Sequence, residues 1–66
     1  MDSENYIVML RAATLLMNSD EMAARRWLAS PKDIFEGKSP AAHGETAAGL
    51  QDVLRLIGRL EHGVFS

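Results

Sequence analysis

The stretch Thr46-Ala47-Ala48-Gly49-Leu50-Gln51-Asp52-Val53-Leu54-Arg55-Leu56-Ile57-Gly58-Arg59-Leu60-Glu61-His62 decides the fold. Leu50, Val53, Leu54, Ile57 and Leu60, with Val64 beyond them, recur at three- and four-residue steps, which lines them along one side of a helix. Gln51, Asp52, Arg55, Arg59 and Glu61 fall mostly elsewhere. Thr46 offers a hydroxyl to cap the start. Asp52 and Arg55 stand one turn apart, where opposite charges can pair for a few tenths of a kcal/mol. Gly49 and Gly58 each cost roughly 1 kcal/mol relative to Ala inside a helix, a cost often tolerated where another backbone packs closely. Gly63 reads as the stop, leaving Val64-Phe65-Ser66 as a short tail with an apolar tip.

Upstream, Ser39-Pro40 is a second helix start, a hydroxyl cap followed by a proline whose missing N–H costs nothing there. Gly44 keeps that helix brief. Pro31-Lys32-Asp33-Ile34-Phe35-Glu36-Gly37 predicts a turn that tucks Ile34 and Phe35 under the helices, with Gly37 in a left-handed conformation. Before it, Met22, Ala23, Ala24, Trp27 and Leu28 mark a helix that ends near Ser30, because Pro31 disfavours helical geometry in the residue ahead of it. Asn18 and Glu21 have the spacing of a capping box for this helix. The first helix opens at a Ser3 cap with Glu4 in its first turn. Tyr6, Leu10, Ala13 and Met17 share one face, while Ile7, Val8, Met9, Leu15 and Leu16 cover most of the rest. A helix apolar nearly all round leaves an exposed strip on so small a domain, unless oligomerisation hides it. The expected fold is all-α: one domain over residues 1–66, with three main helices plus one short helical turn at Pro40. Trp27, Leu28, Phe35, Leu50, Leu54 and Ile57 are expected in its core.

Composition narrows the function. A chain of 66 residues buries only about 60% of its unfolded surface, so small domains lean on disulfides, metals or partners. The chain has no Cys, and His43 and His62 are too isolated to form a metal cage, which leaves association. A net charge of −2 offers no basic face for nucleic acid. Arg25 and Arg26 sit on a helix whose other positions, Ala, Met and Trp, read bases poorly. The most apolar stretch, Tyr6 to Met17, is far short of a bilayer span, and Met1-Asp2-Ser3-Glu4 has the wrong charge for a secretory signal, so the cytoplasm is the default. Catalytic candidates are few. Ser19, Ser30, Ser39 and Ser66 have capping or terminal roles, Asp33 and Glu36 read as solvated turn acids, and neither histidine has a predictable partner. No glycine-rich phosphate loop is present. The chain therefore reads as a binding module without enzymatic activity or cofactor.

Four motifs in order carry a resemblance: Ala24-Arg25-Arg26-Trp27-Leu28-Ala29-Ser30-Pro31, Phe35-Glu36-Gly37-Lys38-Ser39-Pro40, Glu45-Thr46-Ala47-Ala48-Gly49-Leu50 and Ile57-Gly58-Arg59-Leu60-Glu61-His62-Gly63-Val64-Phe65. From about Ala23 to Ser66 the chain resembles the toxin-binding domain of the Xre/MbcA/ParS antitoxins, and the first helix fits more loosely. The resemblance implies docking on a RES-type toxin, an NAD⁺-consuming enzyme, with occlusion of its active site. It also implies a toxin-facing surface on the last helix and tail: Arg55 and Arg59 as charged contacts, Glu61 and His62 as polar ones, and Val64 and Phe65 as an apolar plug. Family members usually carry a helix-turn-helix domain. None fits before Met22, so DNA binding is not carried over. Ala41-Ala42-His43-Gly44 departs from the Leu-rich turn typical of relatives. The alternative is a self-assembling structural or adaptor protein, and the apolar first helix suits that as well as it suits a partner.

Overall fold

The computed structural model describes the backbone of residues 3–62 and the side chains of residues 4–61. Its elements, in chain order, are α1 (Ser3–Leu16), α2 (Glu21–Ala29), a 3₁₀ turn (Asp33–Phe35), α3 (Pro40–His43) and α4 (Ala47–His62). No strand occurs among the described residues, and the all-α expectation of three main helices and a short one holds. α1 packs against both α2 and α4, and α3 bridges α2 to α4. The described part measures 32 × 22 × 18 Å.

Local chemistry sets most of the boundaries. Ser39 Oγ accepts the Ala42 N–H at 3.2 Å, and Pro40 occupies the first turn of α3. Thr46 Oγ1 accepts the Gly49 N–H at 2.9 Å, opening α4 as its sequence predicts. Ser30 is extended ahead of Pro31 (φ −85°, ψ 131°) and closes α2. Gly37 takes φ +86° in a loop closed by the Lys32 N–H donating to the Lys38 carbonyl at 3.1 Å. The expected Asn18 cap is overturned, because Asp20 caps α2, its Oδ1 accepting the Ala23 N–H at 3.1 Å. Asn18 belongs instead to the end of α1. Its N–H donates to the Leu15 carbonyl (3.3 Å) and that of Ser19 to the Thr14 carbonyl (2.8 Å), the two hydrogen bonds of a Schellman ending. That ending puts Asn18 at φ +56° and Ser19 at +68°. Ser3 is already helical, so it does not precede α1 as an outside cap.

The core gathers Met9 and Ala13 from α1, Ala24 and Leu28 from α2, Phe35, and Val53 and Ile57 from α4. Tyr6, Leu10, Met17, Trp27 and Leu50 pack around it, each partly buried. Of the expected core residues, Leu28, Phe35 and Ile57 are fully inside, while Trp27 and Leu50 line the edge. Leu54 does not belong: Val53 takes the central place, and Leu54, one residue and about 100° further round, stays partly exposed. Ile34 also departs from expectation. The 3₁₀ turn buries Phe35 and leaves Ile34 59% exposed. On α1 the predicted strip is present, with Ile7, Val8 and Leu15 facing solvent. No helix among the described residues is long and apolar enough to cross a membrane.

Candidate functional site

Three elements meet along one side of α4. The 3₁₀ turn supplies Ile34 and Phe35, the last turn of α3 supplies His43, and α4 supplies Asp52, Arg55, Leu56 and Arg59. Together they line an open groove of about 260 Å³. Its end wall is fixed by packing. The imidazole of His43 stacks on the Phe35 ring, with centroids 4.3 Å apart and planes 15° from parallel. The same imidazole places Nε2 3.0 Å from Asp52 Oδ2. Phe35 is buried, His43 half-buried and Asp52 exposed, so the set runs from the core to the surface. One hinge-free join makes this possible: at Gly49 a Cβ would collide with the His43 carbonyl oxygen, so only glycine lets α3 end so close to the first turn of α4.

The two arginines complete the groove. Arg55 and Arg59 are one turn apart on α4, both exposed, and neither makes an ion pair among the described residues. The sequence-based pairing of Asp52 with Arg55 does not form; the Asp52 carboxylate meets His43 instead. Elsewhere Arg25 is engaged within α2 by Glu21 (2.8 Å), whose hydrogen bond and charge push the guanidinium pKa up. Lys32 sits 5.1 Å above the Trp27 ring, a cation–π contact at the edge of the core.

Of the residues expected to contact a partner, the structure brings Arg55 and Arg59 together. Glu61 is exposed but outside the groove, about 200° round the helix from Arg59. The backbone of His62 ends α4; its side chain, with Val64 and Phe65, lies outside the described residues. The sequence did not single out Ile34, Phe35, His43 or Asp52 as groove residues. His43, for which spacing alone predicts no partner, has a carboxylate at hydrogen-bond distance. The Ser39 and Thr46 hydroxyls, at the starts of α3 and α4, serve as helix caps. Among the described residues no three His, Asp or Glu converge that could hold a metal. A second hollow, lined by Leu10, Arg11, Thr14, Leu15 and Glu21, lies on the outer side of α1 and is mostly apolar.

Comparison with known proteins follows the same segments. Residues 12–63, from the middle of α1 to just past α4, match the family described as the antitoxin Xre/MbcA/ParS C-terminal toxin-binding domain. An Antitoxin Xre of Yersinia enterocolitica is 39% identical over 61 residues, covering 92% of this chain and 41% of the relative. An Antitoxin Xre of Photorhabdus laumondii is 33% identical over the same extent. The chain thus spans about two-fifths of the length of these curated relatives. No solved structure matches it. With the family match running through α2 and through the 3₁₀ turn, α3 and α4 that build the groove, the chain belongs to the Xre/MbcA/ParS antitoxin family, in its C-terminal toxin-binding domain.

Proposed function

We propose that this chain neutralises a RES-type, NAD⁺-consuming toxin by docking over its active site, contributing surface complementarity and no chemistry of its own. The observation that carries the reading is the pair Arg55 and Arg59, exposed and without an ion pair among the described residues, lying inside the segment that matches a toxin-binding family. Interface energy concentrates in a few arginine and aromatic anchors, so we place the contact surface on this side of α4 and the residues after it. Arg55 and Arg59 are the charged anchors, with Glu61 and His62 as polar contacts and Val64 and Phe65 as the apolar plug that the family resemblance implies. The site works in the cytoplasm on a protein, without cofactor, nucleic acid or membrane.

The test is an NAD⁺-consumption assay with a purified RES-type toxin titrated with the chain. Arg59→Ala and Phe65→Ala should each weaken inhibition by roughly 1–3 kcal/mol with helicity unchanged. Leu28→Ala is the stability control: that side chain is fully buried, and its loss should cost roughly 2–5 kcal/mol and remove inhibition through unfolding. Removing residues 64–66 with no effect on inhibition would take the plug out of the reading.

A second reading is favoured by one observation, the exposed Ile7, Val8 and Leu15 on α1. It makes the domain a self-assembling module, with α1 joining copies when no toxin is bound.

A further inference from the structure

Asp52 and Arg55 occupy positions on α4 at which opposite charges ordinarily pair. They do not pair, because the carboxylate is turned to His43 Nε2 at 3.0 Å, and His43 is held in place by its stack on buried Phe35. Among the described residues neither Arg55 nor Arg59 makes an ion pair, and both are exposed. We propose that the groove binds an acidic side chain of the partner protein between Arg55 and Arg59, and that His43 is the positioning residue that makes this possible by withholding Asp52 from Arg55. The proposal rests on the toxin-binding reading for the partner's identity and adds the chemistry of its contact.

The surroundings select the occupant. A guanidinium takes a carboxylate in a two-pronged, charge-assisted fit, and two of them one turn apart can hold one from either side. Beside them Ile34 is 59% exposed and Leu56 lines the same groove, so an aliphatic neighbour of the acidic residue has apolar surface to cover. A nucleic-acid backbone suits the place poorly. It is tracked by many cations, whereas this chain has a net charge of −2 and places Asp33 and Glu36 on either side of Ile34-Phe35. If Asp52 were released, it would compete for Arg55 from within the same helix, and the partner's carboxylate would have to displace it.

The experiment measures binding of the full chain to a RES-type toxin by calorimetry. Arg55→Gln with Arg59→Gln should weaken it about ten-fold or more. His43→Phe keeps an aromatic ring for Phe35 but cannot hold Asp52, and it should weaken binding about two- to three-fold. Adding Asp52→Asn to His43→Phe should restore affinity, a rescue that a merely structural role for His43 does not produce. A double variant as weak as His43→Phe alone overturns the positioning role, and an unchanged affinity in the Arg55/Arg59 variant overturns the groove while leaving the toxin reading intact. A second arm needs no toxin: acetyl-Leu-Glu-Leu-Glu-amide should shift the Nε–H resonances of Arg55 and Arg59, and its Gln counterpart should not. That result in a chain that binds no RES-type toxin upholds the acidic contact and sinks the toxin reading. Shifts produced by a single-stranded oligonucleotide in place of the peptide, or by raising the chain's own concentration, assign the groove to nucleic acid or a second copy and overturn the proposal.

Discussion

At position 49 a methyl group has nowhere to go, because the His43 carbonyl oxygen already occupies the space a Cβ would fill. Position 58, nine residues further along the same helix, has nothing within 4 Å of an added Cβ. The two glycines look alike in the sequence, and close backbone packing explains only the first. Gly49→Ala should destabilise the fold by about 1–3 kcal/mol through overpacking. Gly58→Ala should stabilise it by about 0.5–1 kcal/mol, since it gains helix propensity at no steric cost. Urea unfolding of both variants checks the pair, and two shifts of the same sign would contradict the packing described here. Trp27 makes a related point about size. The only tryptophan is an obvious candidate for the centre of the core, yet it is partly buried, with a lysine over its ring, and the smaller Val53 and Ala13 are among the fully enclosed residues.

The caps show which parts of an element are legible in the sequence. Ser39, Thr46 and the Pro31 boundary act through bonds or clashes within three or four residues, so their identity is enough to place them. The start of α2 was misplaced because Asn18 satisfies two local rules at once, as a helix cap and as a residue that tolerates a left-handed backbone. The Schellman ending of α1 uses the second property, which passes the cap to Asp20. Asp20→Ala should therefore cost about 1 kcal/mol in a thermal or urea melt. The groove was only half legible. Arg55 and Arg59 share a helical face by spacing alone, but His43 meets Asp52 through the path of the chain between α3 and α4, and Phe35 meets His43 through the 3₁₀ turn. No local pattern encodes contacts of that kind. Leu54 and Val53 pose a related problem: both fit the stripe, and which one is enclosed depends on how α4 sits against the other helices.

On the scale of the whole molecule, α1 is the element with contacts to spare. One side seals Met9 and Ala13 against α2 and α4, and the opposite side presents Ile7, Val8 and Leu15 to water. Isolated exposed apolar residues are ordinary, but several along one helix of a 66-residue chain favour association. Sedimentation at micromolar concentration should show a dimer or larger species that Leu15→Glu returns to monomer. A wild-type monomer across that range would mean the strip is simply tolerated.

The first turn of α1 is also fastened across the molecule, by Asn5 Nδ2 donating to the Gly44 carbonyl at 3.1 Å across 39 positions of sequence. The caps, the turns and the α1–α2 hairpin join near neighbours and can assemble with little loop to close, whereas this bond, like the packing of α1 on α4, joins distant parts of the chain. Closing a segment that long is entropically costly until its flanking helices are in place, so the bond should form after the folding barrier is crossed. It then behaves as a latch whose effect is on lifetime. Asn5→Ala should raise the unfolding rate in a stopped-flow chevron and leave the folding rate almost unchanged. A slower folding limb would mean that the start of α1 and the α3–α4 junction find each other first.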